Sequence, residues 1–158
     1  HRRLLEIGTG IAFLPLRALT LDPGLSAVAQ EAREDLLSLA RVVAERAPAE
    51  VGRRLVLSDA PVATAADLTS LIERSRATLL RIARPAELPG DAPEALASTS
   101  LERIVVPAAT PADADALRAR LSAPLRAHGF HEVPERAAQG SLQFDRRGRA
   151  PLADPRST

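Results

Sequence analysis

Twice in this chain a short apolar run leads into a turn, then a threonine with an aspartate three places later, then apolar residues at helical spacing. The two stretches are RRLVLSDAPVATAADLTSLI, with Thr64 and Asp67, and ERIVVPAATPADADALRARL, with Thr110 and Asp113. At that spacing each side chain can bond the backbone amide of the other residue, which marks the first turn of a helix. The apolar run before each turn, Leu55 to Leu57 and Arg103 to Val106, suits a strand. A strand, a capped turn and a helix account for the likeness without any duplication. Such an alternation favours mixed layers of helix and sheet over an all-helical bundle.

The remaining elements follow from periodicity. The run IAFLPL over residues 11–16 suits a strand, and Pro15, which cannot donate to a ladder, places it at an edge or a strand end. Leu25, Val28, Ala29, Ala32, Leu36, Leu39, Ala40 and Val43 fall at helical spacing. With Asp22 as N-cap and Pro48 as terminator, they predict one long amphipathic helix over residues 23–47. A second helix is expected over residues 65–83, buried through Leu68, Leu71, Ile72, Leu79 and Ile82 and stopped by Pro85. Residues 86–100 read as a surface connection, and Pro124 should end or kink the third helix. A short strand is expected near residues 131–133 or 142–144. The expectation is an α+β fold: one domain over residues 1–134, three strand-helix units on a small mixed or antiparallel sheet. Residues 135–158 read as a flexible, arginine- and proline-rich tail.

Composition excludes several kinds of chemistry. With no cysteine among 158 residues there is no thiolate catalysis, disulfide or cysteine metal site. All 21 basic residues are arginine and nearly balance 20 acidic ones, so no net field steers the chain toward nucleic acid or an anionic membrane. The longest apolar stretch, residues 7–16, is too short to span a bilayer and no secretory signal is visible, which implies a cytoplasmic protein. Because the chain opens on His1, an N-terminally truncated domain is part of the expectation.

One local pattern points to chemistry. Glu6, Gly8, Gly10 and Ala12 in EIGTGIA resemble the glycine motif of methyltransferases, where glycines let the backbone approach a cofactor ahead of a helix N-terminus. Against it, Pro15 falls where the following helix should be running, so a truncated methyltransferase-like enzyme using residues 6–12 is kept as the alternative. His128 and His131 flank Gly129 without a clear third ligand, so no metal site is expected, and no serine sits in a nucleophile elbow. The primary reading therefore has no catalytic residues and no cofactor. It leaves enzymatic activity open, with the balance against it.

A second resemblance orders more of the chain. The strand FLPLRA with Leu14, Pro15 and Arg17, the helix over residues 23–47, and EVGRRLVL with Glu50, Gly52 and Arg54 resemble, after His1, the core of gas vesicle proteins F and L. These are assembly accessory proteins with an LPxRFG-like strand, a long helix and an E-x-G-x-R-like segment. The family's Phe-Gly after the arginine is Ala18-Leu19 here, and its aromatic ending is absent. The resemblance implies a non-catalytic accessory protein that contacts other proteins of an assembly or copies of itself; a structural subunit of another assembly is a further alternative. Arg17 and Glu50, at successive element ends, are the expected ion pair of that fold.

Overall fold

Strand β1, Arg2–Ile7, is buried on both faces through Leu4, Leu5 and Ile7, as a central strand must be. A glycine loop leads from it to helix α1, Phe13–Leu21, then strand β2, Leu25–Gln30, and helices α2, Glu34–Glu45, and α3, Ala49–Gly52. Strand β3, Leu55–Ser58, helix α4, Ala65–Ser75, and strand β4, Leu79–Ile82, follow. A 3-10 turn at Pro85–Glu87 precedes helix α5, Ala92–Ala97, strand β5, Arg103–Pro107, helix α6, Pro111–Ala127, and strands β6, Phe130–Glu132, and β7, Ser141–Arg146. This is a computed structural model, and it describes residues 2–97, 100–134 and 140–146.

The strands form one seven-stranded sheet in the order β3-β2-β1-β4-β5-β7-β6. β3, β2, β1, β4 and β5 pair in parallel, while β7 runs antiparallel to both β5 and β6. Leu4, Leu16, Leu19, Leu25, Ala27 and Val51 pack the α1 side of the sheet. Leu5, Ile7, Leu68, Ile72, Ile104, Leu121 and Phe144 form the larger core beneath α4, α5 and α6. The molecule is thus a three-layer α/β domain, and the expected α+β arrangement on a small mixed or antiparallel sheet is corrected. Helices between parallel strands must cross back over a face, so both faces become covered.

Both capping boxes form: Thr64 and Thr110 each accept from the backbone of the aspartate three residues on, and each aspartate returns the bond. The strands at residues 55–58 and 103–107 also match the sequence reading, and both of the late positions it offered as alternatives are strands, β6 and β7. Three elements differ. Residues 13–16 open α1 instead of forming a strand, and Pro15 sits in the first turn, where a missing N–H breaks no helical bond. The single helix over residues 23–47 is β2 plus α2, and the helix over residues 65–83 is α4 plus β4.

These two errors share a cause. A short strand with covered faces, such as LSAVAQ or LLRI, carries apolar residues at spacings that fit a helix as well as a strand. Residues 86–100 are not merely a surface connection, because Leu88, Ala92, Ala95 and Leu96 are buried in the core. Helix α6 runs through Pro124 to Ala127. Ser141–Arg146, assigned by sequence to a tail, pairs with β5, where Arg103 grips its register partner Asp145 at 2.8 and 2.7 Å. Residues 135–139 and 147–158 of that tail lie outside the described residues.

The Arg17–Glu50 pair is also absent: both side chains are exposed, on α1 and α3, and no ion pair joins them. Arg54 ties this corner instead. Its guanidinium donates to the carbonyls of Leu19 at 2.7 Å, Asp22 at 2.8 Å, Leu25 at 2.8 Å and Glu50 at 3.1 Å. One side chain thereby satisfies the end of α1, the turn into β2 and the end of α3. Arg54→Ala should lower the unfolding free energy by about 2–4 kcal/mol in urea denaturation, since charge-assisted bonds to half-buried carbonyls are lost. Arg17→Ala and Glu50→Ala should each change it by less than about 0.5 kcal/mol and show no coupling. A cost for Arg54→Ala no larger than for those two would contradict this assignment.

Candidate functional site

All five parallel strands end at the same edge of the sheet, and β1 is where the order reverses: the chain leaves it toward β2 and β3 and returns to its other side as β4. The crevice outside the carboxyl ends of such strands is the general ligand position of open α/β sheets. Here it holds the loop Gly8-Thr9-Gly10-Ile11-Ala12. Gly8 and Gly10 have φ of +70° and +63°, conformations that suit glycine, and even Ala12 is left-handed at +60°. A Cβ on Gly10 would meet nothing within 4 Å, so backbone geometry, not crowding, calls for glycine there.

The loop is stapled to the end of β2. Gly8 N donates to Gln30 Oε1 at 3.2 Å, Thr9 N to the Gln30 carbonyl at 3.0 Å, and Gly10 N to Glu31 Oε2 at 2.8 Å. Gln30 in turn donates from Nε2 to the Ala60 carbonyl at 2.8 Å, joining the β3 loop to the same cluster. With these amides engaged, the donors facing outward are those of the first turn of α1. Its intrahelical bonds begin with Leu16 N to the Ala12 carbonyl, leaving the N–H groups of Phe13 and Leu14 before it.

Two carboxylates anchor the site, each only 1% exposed. Glu6 lies in β1 directly opposite Arg81 of β4, pairs with its guanidinium and accepts from Thr9 Oγ1 at 2.6 Å. Burial pushes its carboxyl above the ordinary value, outweighing Thr9 and Arg81. Glu31, just past β2, accepts from Gly10 N, from Arg33 N at 3.0 Å and from the Arg84 guanidinium. Burial raises its carboxyl too, but the donors, led by the Arg33 amide and Arg84, outweigh it and hold the group below its ordinary value. A carboxylate 21 residues beyond Gly10 and at the end of the neighbouring strand can accept from a ribose diol.

The structure therefore brings Glu6, Gly8 and Gly10 of the sequence reading into one site. It does not gather the others. Leu14 and Arg17 lie exposed on α1, Pro15 is buried beneath that helix, Gly52 and Glu50 belong to α3, and Arg54 is the structural tie. His1 lies outside the described residues. Sequence reasoning missed Gln30, Glu31, Arg81 and Arg84. For Glu31 a signal existed, an acidic residue about 20 positions after a glycine motif, but the long helix assigned to residues 23–47 hid the strand end that gives it meaning.

Beside the loop, between the ends of β4 and β5 and the first turns of α6, lies a cavity of about 490 Å³. Its walls are mainly Ala83, Pro85, Pro107, Ala108, Ala116 and Leu117, with Asp113 and Arg120 contributing charge. Arg120 donates to the carbonyls of Leu88 and Pro89, and Asp113 is engaged in the α6 cap. Among the described residues no group of three or more His, Cys, Asp or Glu side chains is placed to hold a metal ion. No helix among them is long and apolar enough to cross a membrane.

No protein-family model matches the sequence, and no curated protein does. Solved structures do match. A Streptococcus pneumoniae protein assigned as a tRNA (m1A22) methyltransferase superposes with a TM-score of 0.65 at 21% identity, over 96% of this chain and 67% of its own. Precorrin-6y C5,15-methyltransferase from Geobacter metallireducens gives 0.61 at 20% identity, over 84% of this chain and 65% of its own. The aminoglycoside resistance methyltransferase NpmB1 gives 0.61 at 16% identity, over 92% and 87%. The chain thus spans about two thirds of the length of the first two and shares with all three the Rossmann-like methyltransferase fold. This overturns the expected non-catalytic role in gas vesicle assembly: each neighbour named is a methyltransferase, and the LPLR segment read as that family's strand is a helix.

The two buried carboxylates make opposite contributions to acid stability. Glu31 titrates below its ordinary 4.5 in the fold, so its stabilisation is complete above pH 4.5 and is lost as pH falls through the lower folded value. Glu6 titrates above 4.5, so it favours the fold most below pH 4.5, and that contribution fades as pH rises toward its folded value. Urea denaturation between about pH 3 and pH 7 should show a flatter acid limb for Glu31→Gln than for the parent. An unchanged slope would remove Glu31 from this role.

Proposed function

We propose that this chain is the S-adenosylmethionine-binding domain of a methyltransferase. The observation that carries the reading is the joint geometry of the left-handed Gly8–Ala12 loop and buried Glu31 at the reversal point of a β3-β2-β1-β4-β5-β7-β6 sheet. The donor set suits a nucleoside with an amino-acid tail. Glu31 would hold the ribose hydroxyls, the N-terminal turn of α1 would hold the tail carboxylate, and the open space over Gly10 would admit the ligand close to the backbone. The neighbours sharing this fold include a glycopeptide N-methyltransferase solved in complex with S-adenosylmethionine.

When bound, that cofactor supplies an electrophilic methyl group on sulfur. The chain's own residues position the ligand and receive the acceptor. The alanine- and proline-lined cavity beyond β4 and β5 fits an apolar acceptor, since few polar groups there would hold a hydrophilic one. No histidine, lysine or tyrosine lines it, and its one carboxylate, Asp113, is engaged by Thr110 in the α6 cap. An acceptor whose nucleophilic atom needs no proton removed by the enzyme, such as a neutral amine nitrogen, therefore suits the cavity best.

Isothermal titration with S-adenosylmethionine should give a dissociation constant in the micromolar range, about −8 kcal/mol. Gly8→Ala should weaken it at least about tenfold, because φ is +70° there and the new Cβ would lie 2.9 Å from Arg84 Nε. Glu31→Ala should weaken it comparably through loss of the ribose acceptor. No heat with the folded parent would contradict the assignment.

A further inference from the structure

Arg84 stands in the proposed ligand's place. It follows β4 and reaches back over the glycine loop, with Nε 3.4 Å from the Gly8 carbonyl and 2.9 Å from where a Gly8 Cβ would be. Its guanidinium therefore covers the face of Gly8 that the missing side chain leaves accessible. The same group pairs with Glu31, the carboxylate best placed for the ribose diol, and with Glu87 at 2.9 Å.

These two seats differ in kind. Glu31 is 1% exposed and lies inside the crevice, while Glu87 is 54% exposed, three residues along the same 3-10 turn and outside it. Here the guanidinium bridges a buried and an exposed carboxylate. Held by Glu87 alone, it would leave Glu31 and Gly8 clear. Glu31 retains two donors in that arrangement, the backbone amides of Gly10 and Arg33, so it is not stranded when Arg84 leaves. The local 3-10 geometry also keeps Glu87 within reach without any movement of β4.

We propose that Arg84 is a gate on the cofactor site, closed on Glu31 and open on Glu87, so that ligand binding must displace it. The proposal rests on the cofactor reading above. A ligand that binds only the open arrangement shows an affinity reduced by the fraction of molecules that are open. Removing the gate raises affinity by that factor, and removing the open seat lowers it.

The test is a four-protein titration with S-adenosylmethionine and separately with adenosine: parent, Arg84→Gln, Glu87→Gln and the double variant, each checked for folding by thermal melting. Arg84→Gln keeps length and some bonding capacity while losing the charge that holds Glu31. It should bind both ligands about tenfold more tightly than the parent. Glu87→Gln should bind more weakly by a few fold, and the double variant should match Arg84→Gln, since the open seat matters only when the gate is present. Weaker or equal binding by Arg84→Gln, with binding still measurable, would overturn the gate and make Arg84 a ligand contact or a bystander. An effect of Glu87→Gln that persists without Arg84 would overturn it too. Absence of binding by all four folded proteins would instead overturn the cofactor reading, and the gate with it.

Discussion

Two carboxylates with almost no exposed surface, Glu6 and Glu31, hold the carboxyl edge of this sheet together, and each is matched by an arginine from the end of β4. Ionised groups at such burial survive only when hydrogen-bonded: Glu6 relies on Arg81 and Thr9, while Glu31 also holds the backbone amides of Gly10 and Arg33. The arrangement therefore fixes more than charge. Arg81 opposite Glu6 sets the β1–β4 register across the point where strand order reverses, and Glu31 holds the Gly10 amide, which shapes the glycine loop. Everything proposed about ligand binding depends on those two contacts standing where they do.

The site is built around backbone geometry more than around reactive side chains. Positive φ at Gly8, Gly10 and Ala12 bends the chain from strand to helix within a few residues, and Gln30 ties that bend to the loops after β2 and β3. Arg54 does similar work at the opposite corner, where its donors close the end of α1 and the start of β2. The apolar cavity beyond β4 adds shape, and its one carboxylate, Asp113, is engaged in the α6 cap. Binding and orientation are the functions such a construction can serve best.

Much of this was legible in the residues where local physics is unambiguous. Thr64-Asp67 and Thr110-Asp113 announced two helix starts, and Glu6, Gly8 and Gly10 carried the loop signature in plain view. What misled was Pro15, read as evidence against a helix, although a first-turn proline is harmless. The alanine-rich β2 then merged with α2, which removed the strand end at Gln30 and with it the significance of Glu31. In the E-x-G-x-R-like segment, Arg54 ties the end of α1 to the turn into β2. Arg81 and Arg84 could not be found from sequence, because their importance comes from the β1–β4 pairing of residues about 75 positions apart.

The most direct test of the central claim, that the Gly8–Ala12 loop and Glu31 form one cofactor site, is a backbone-amide NMR titration of the folded chain with S-adenosylmethionine. The account predicts saturable shifts concentrated at Gly8 through Leu14 and Glu31 through Arg33, with β6 and β7 unmoved. Saturable shifts confined to other parts of the sheet, or none at millimolar ligand, would contradict it.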